Sequence, residues 1–228
     1  MRIVFCHQEA DSTGDSLRAA IEGSCEIVDW HAHAGEAAPS LTDVGAVVAL
    51  GGLTNPDDGE AWLEGERAFL RDAVEHGLGV LAICLGAQLL AQSLGGSAFR
   101  LERPEIGFYD ARPTDEGRAD ALIAPLGSPF PAFEWHDYGF DPPPRSVLLA
   151  TTDSWHNQAF RCGERAWGLQ YHIEVDRCRT RYWLSAGADN ARARGFSPDA
   201  LRERAELEAD AYERGARALM QRFVEASR

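Results

Sequence analysis

The 228-residue chain carries 36 Asp and Glu against 22 basic residues, every one of them Arg, for a formal net charge of −14. Phosphate backbones and anionic lipid surfaces both demand a basic footprint, so neither nucleic acid nor membrane is an expected partner. The longest uncharged apolar run, Gly77 to Ala87, falls far short of the ~20 residues of a membrane span, and five cysteines without CxxC spacing make neither a disulfide framework nor a zinc knuckle. These features predict an acidic, soluble, cytoplasmic protein with reduced thiols. At roughly 150 residues per domain, and with no linker-like composition shift, they also predict one domain over residues 1–228.

Arg2 to Cys6 reads as a buried strand, followed by a polar turn and a helix from about Asp15 to Glu22. Cys25 to Trp30 and Ala46 to Leu50 read as further strands, the latter ending at Gly51-Gly52. A helix is predicted from about Glu60 to His76, stopped by Gly77, then a strand over Gly79 to Ile83. That strand runs through Cys84-Leu85-Gly86 into a helix ending near Gly95-Gly96. Short apolar strands alternating with helices indicate a parallel sheet covered on both faces. The second half differs: Gly107–Pro113, Val147–Thr152, Gln158–Cys162 and Ala166–His172 read as short strands in antiparallel hairpins. From Ser197-Pro198 the pattern is helical to about Ala226, with Ser197 as N-cap and Pro198 in the first turn. A core of about 1–176 and a helical segment of about 177–228 follow.

The chemistry concentrates at Leu81-Ala82-Ile83-Cys84-Leu85-Gly86-Ala87-Gln88, where a strand turns at a cysteine into a helix. This is the nucleophile-elbow pattern with Cys in place of Ser. Residues two before and two after the nucleophile must be small, and Ala82 and Gly86 are. A sulfur at a helix N-terminus is favoured as thiolate, and the N–H of Leu85 points where an oxyanion would form. A Cys nucleophile needs a base and a group to orient it. Gln170-Tyr171-His172-Ile173-Glu174 offers both, since residues i and i+2 of an extended segment share a face. A metal reading of His172-x-Glu174 lacks companion ligands, and no cofactor is called for. Leu50-Gly51-Gly52-Leu53 fits the loop that supplies a second oxyanion donor.

Gly51-Gly52, Ala82-Ile83-Cys84-Leu85-Gly86-x-Gln88, Glu134-Trp135-His136-Asp137, Gln158-Ala159-Phe160-Arg161 and Gly168-Leu169-Gln170-Tyr171-His172-Ile173-Glu174 follow one another in an order that resembles the class I, triad-type glutamine amidotransferases. The likeness spans about Ile3 to Val175 and is closest to free-standing members similar to the amidotransferase half of GMP synthetase. It implies a flavodoxin-like α/β fold with a mostly parallel central sheet, helices on both faces and small antiparallel additions. It further implies that Cys84 forms a γ-glutamyl thioester, that His172 is its base and then acid, and that Glu174 orients His172. Gly52 and Leu85 would form the oxyanion hole. Gln88 with Trp135, His136 and Asp137 would hold the α-amino and α-carboxylate ends of the substrate.

Such domains hydrolyse glutamine and pass ammonia to a synthetase or acceptor subunit, for which this chain has no room. The alternative is a γ-glutamyl hydrolase or peptidase that works without a partner on another γ-glutamyl amide. The chain departs from the family pattern at Ala82 (usually Gly), at Leu53 after the glycine pair (often Pro), and at Tyr171 and Ile173, where Phe and Pro are usual.

Overall fold

The computed structural model describes all 228 residues. Five strands, β1 (Arg2–Cys6), β2 (Glu26–Trp30), β3 (Val44–Ala49), β4 (Gly79–Ile83) and β9 (Ala166–Leu169), form the parallel part of the sheet, in the order β2-β1-β3-β4-β9. Four more, β5 (Ser97–Pro113), β6 (Phe130–Asp141), β7 (Val147–Thr151) and β8 (Ala159–Cys162), continue it antiparallel as β9-β8-β7-β5-β6. All nine belong to one sheet.

Side-chain alternation in β1 divides the core. Ile3 and Phe5 face one side, where they pack with Leu17 and Ile21 of α1 (Asp15–Ile21) and with Leu219, Met220 and Phe223 of α7 (Pro198–Ala226). Val4 and Cys6 face the other, against Leu63 and Phe69 of α2 (Ala61–Glu75) and Leu89 and Leu90 of α3 (Leu85–Ser93). With helices on both faces, β4 is buried at every residue, which is why its sequence is an unbroken apolar run rather than an alternating one. No helix is long and apolar enough to cross a membrane. Ser197 caps α7 as its sequence indicates, its hydroxyl accepting from the N–H of Ala200.

The antiparallel part is larger than the sequence pattern indicates. β5 is 17 residues long and begins ten residues before the expected Gly107, and its partner β6, 12 residues, has no strand signal in the sequence. The short helix α4 (Asp115–Ala119) also lies outside the predicted elements, whereas α5 (Arg177–Ala186) and α6 (Ala188–Ala193) fall within the helical segment expected from about 177, ahead of the helix read from Ser197. Conversely, β9 stops at Leu169, three residues earlier than expected. Beyond it the chain leaves the ladder and makes a single backbone bridge to β6, where the N–H of His172 donates to the Phe133 carbonyl at 2.7 Å. This departure swings residues 170–174 across the end of β4.

Candidate active site

At the end of β4 the backbone of Cys84 adopts φ 50° and ψ −111°, one of three non-glycine residues with positive φ. That conformation costs on the order of 1–3 kcal/mol and persists only where its surroundings enforce it. Here they do: the N–H of Cys84 donates to the Leu169 carbonyl at 2.8 Å, and that of Gly86 to Leu50 at 3.2 Å. A Cβ on Gly86 would lie 2.6 Å from the Ala49 carbonyl oxygen, so only glycine lets α3 approach β3 this closely. The small-residue requirement read from the sequence thus has a named obstacle. The turn presents the Cys84 side chain at the N-terminus of α3, with Leu85 as the first helical residue.

His172 reaches the same point from the segment after β9. Its Nδ1 lies 2.7 Å from Glu174 Oε1, and because a carboxylate only accepts, the proton sits on Nδ1. The second oxygen, Oε2, accepts from the N–H of Ile173 at 2.8 Å, which fixes the carboxylate plane. Trp183 of α5 meets the imidazole edge-on, with ring centroids 4.9 Å apart, and blocks rotation from that side. His172 is 2% exposed, and its Nε2 has no nitrogen or oxygen partner. Burial alone would lower the pKa of the ring. The Glu174 charge and the adjacent Cys84 sulfur outweigh it and hold the imidazole well above its ordinary value.

Gly51 fits between the two: a Cβ there would fall 2.8 Å from His172 Cε1 and 3.3 Å from Cys84 Cβ. A Cβ on Gly52 would sit 3.4 Å from Leu85 Cδ2 and 2.8 Å from Gln8 Cβ. The Gly-Gly pair therefore lets the loop after β3 lie directly against both the cysteine turn and the histidine. Cys84, His172, Glu174, Gly52 and Leu85 converge in space although they come from separate stretches of chain.

A cavity of about 250 Å³ opens from Cys84 and Leu85, walled by Gln88, Trp135, Asp137, Asn190 and Arg194. Gln88 does not point freely into it. Its Nε2 donates to the Tyr138 carbonyl at 3.0 Å and lies 3.4 Å from Gln170 Oε1, tying α3 to β6. Asp137 is held by a two-point contact with Arg194, at 3.2 and 2.6 Å, both groups being partly exposed. Arg194 follows α6, and no sequence motif singles it out. Its signal is only visible once the fold places it opposite Asp137.

His136 also borders this cavity, but its imidazole is buried behind the wall. Nε2 lies 3.0 Å from Glu134 and 3.1 Å from Glu105, and all three side chains are almost fully buried. Burial opposes the charged ring, yet the two carboxylates prevail and push its pKa up to about 10. Burial lifts Glu134 to about 7, whereas Glu105 is held below its usual value by His136, Ser154 and Gln158 against the cost of burial. The donor atoms of the three lie within 4.8 Å of one another, close enough to share a metal ion as well as a proton. Glu105 carries no motif, so this cluster could not be read from the sequence.

Known proteins resemble the chain both in sequence and in fold. The family model described as glutamine amidotransferase class-I matches residues 16–182. The putative glutamine amidotransferase-like protein YfeJ of Salmonella typhimurium is 30% identical over 185 residues, which is 76% of each chain. A glutamine-hydrolyzing GMP synthase component from Sulfurisphaera tokodaii is 35% identical over 97 residues, covering 42% of this chain and only 50% of that one. A crystal structure of a glutamine amidotransferase from Thermotoga maritima superposes with a TM-score of 0.88 at 27% identity, covering 99% of this chain and 98% of the other. With the match extending over most of the elements that build the cysteine turn and the His172 segment, the chain belongs to the class I glutamine amidotransferase family.

Proposed function

We propose that the chain hydrolyses a γ-glutamyl amide, with glutamine as the family's substrate, through a thioester on Cys84, and releases ammonia for a separate acceptor. The observation that carries this reading is the buried Cys84–His172–Glu174 arrangement, with one imidazole nitrogen occupied by a carboxylate and the other left facing the cysteine. In the acylation step the Cys84 sulfur forms a bond to the γ-carbonyl carbon as the carbon–nitrogen bond breaks. The proton held at His172 Nε2 passes to the departing nitrogen. Water then attacks the thioester, His172 takes a proton from it, and the carbon–sulfur bond breaks to give glutamate and free enzyme. Through both steps Glu174 stabilises the imidazolium and keeps the ring aimed. The N–H groups of Gly52 and Leu85 receive the oxyanion, Leu85 with the added field of a helix N-terminus. In the 250 Å³ cavity, the Asp137–Arg194 pair offers one anion and one cation, the complement of an amino-acid zwitterion.

Relatives that are synthetase components support a partner that consumes the ammonia; the Sulfurisphaera tokodaii protein is one part of a GMP synthase. The test is ammonia release from glutamine by the purified protein, with Cys84→Ala as the control. Turnover by the wild type that disappears in Cys84→Ala supports the reading, and equal turnover by both ends it. Covalent labelling of Cys84 by a glutamine-mimicking electrophile, protected by glutamine, locates the glutamyl site.

A further inference from the structure

A second cavity, of about 340 Å³, lies on the other side of the Gly52–Leu53 rim and is lined by His172 rather than Cys84. Gly52, Leu53, Trp135 and Asn190 border both cavities, so the two meet where Cys84 and His172 meet. In the proposed reaction the acyl half of the substrate must lie toward the sulfur and the departing amine toward the histidine that protonates it. The second cavity is therefore the amine side. Ammonia needs about the volume of one water, ~30 Å³, an order of magnitude less than the space provided. Its walls are not neutral either: Glu9 and Asp11 line it together with Trp135, Tyr182 and Trp183. Asp11 is within 3.7 Å of Arg179, which also reaches Asp15 at 3.6 Å, whereas Glu9 pairs with no cation. The half-buried Glu9 carboxyl is raised above its usual pKa by burial and by Asp11, against the opposing pull of the Leu53 N–H and of His172 and His33. The unpartnered Nε2 of buried His172 marks where this space meets the reacting bond. Aromatic faces beside carboxylates recognise alkylammonium groups.

Resting on the thioester reading, we infer that the cavity beside His172 is a subsite for a cationic leaving amine. The subsite then adds to glutamine a second substrate class, γ-glutamyl amides of amines that carry a second positive charge. Acylation forms the carbon–sulfur bond and breaks the carbon–nitrogen bond; the released nitrogen takes the His172 proton while its distal ammonium stays against Glu9. The test compares kcat/KM for γ-glutamylputrescine with that for its neutral isostere γ-glutamylpentylamide, with glutamine alongside. The wild type is expected to favour the cationic amide by about tenfold or more, and Glu9→Gln to bring that ratio close to one. Equal turnover of the two amides, or a preference that survives Glu9→Gln, overturns the subsite. Turnover of glutamine alone also overturns it while leaving the thioester reading intact. Turnover of any of the three that persists in Cys84→Ala removes both.

Discussion

Of the three histidines buried beside carboxylates, His7, His136 and His172, the last two border the two cavities and differ in what they leave free. His172 gives one nitrogen to Glu174 and keeps the other, Nε2, toward Cys84. His136 places a single nitrogen between two carboxylates, Glu105 and Glu134, inside the β5–β6 hairpin. Both rings are held above the ordinary imidazole pKa, so neither burial nor acidic company separates a reactive histidine from a structural one. The difference is geometric. Proton transfer requires a nitrogen that faces the reacting atom, and of these two only His172 has one directed at Cys84, the proposed nucleophile.

Substitutions can break this contrast. The largest effect is expected at the proposed nucleophile: Cys84→Ala should lower kcat by about 10⁴-fold or more with little change in stability, read by ammonia release and denaturant melts. Next, Glu174→Gln should cost about 10²–10⁴-fold in kcat, because the ring loses both its orientation and the charge that stabilises the imidazolium. The same variant tests the sign of the pKa shift. Without the carboxylate the imidazolium is less favoured, so the alkaline limb of kcat/KM should move to lower pH; a limb that stays in place contradicts the assignment. His136→Gln should behave oppositely, losing about 3–5 kcal/mol of stability by stranding two buried carboxylates. Its unfolding midpoint in urea, compared with kcat per folded molecule, checks that separation.

A smaller, pH-dependent effect comes from Glu66, which is buried beneath the Gly52 loop and accepts from Gln8 Nε2 at 2.8 Å. Burial raises its carboxyl to about 7, above the usual value near 4.5. The folded state therefore holds a proton that the unfolded chain releases. Stability is fully present below pH ~4.5 and falls as the pH rises through 7, by up to about 3 kcal/mol. Glu66→Gln should flatten this decline, as shown by melting temperature against pH between 5 and 8.

The same contrast accounts for what is legible in the sequence. β1 and β4 are found at their full predicted bounds because an enclosed parallel strand must be apolar throughout. The cysteine turn is legible for a related reason: backbone proximity at Gly86 leaves no latitude in residue type. β6 hides because Glu134 and His136 interrupt its apolar faces and prolines stand at both ends, at 129, 131 and 142–144. The exposed first half of β5, rich in Arg and Glu, follows no alternation, and its register with β6 shifts between Arg100 and Glu105. The sequence pattern puts His172 and Glu174 at i and i+2 of a strand. They meet instead on irregular chain, where the Phe133 contact rather than a sheet ladder sets the ring. Arg194 and Glu9 are single charges among many, and only the fold distinguishes them.

The Cys84 amide bonded to Leu169, beside in-register β4–β9 pairing at Ile83 and Leu169, fixes Cys84 to the strand that leads to His172. The turn that carries the cysteine is thus tied to the strand whose continuation, held by the Phe133 carbonyl, carries the histidine. Core substitutions remote from this junction should then act on yield and not on rate. Loosened variants would hold fewer native molecules, each turning over at the parental speed until the fold gives way.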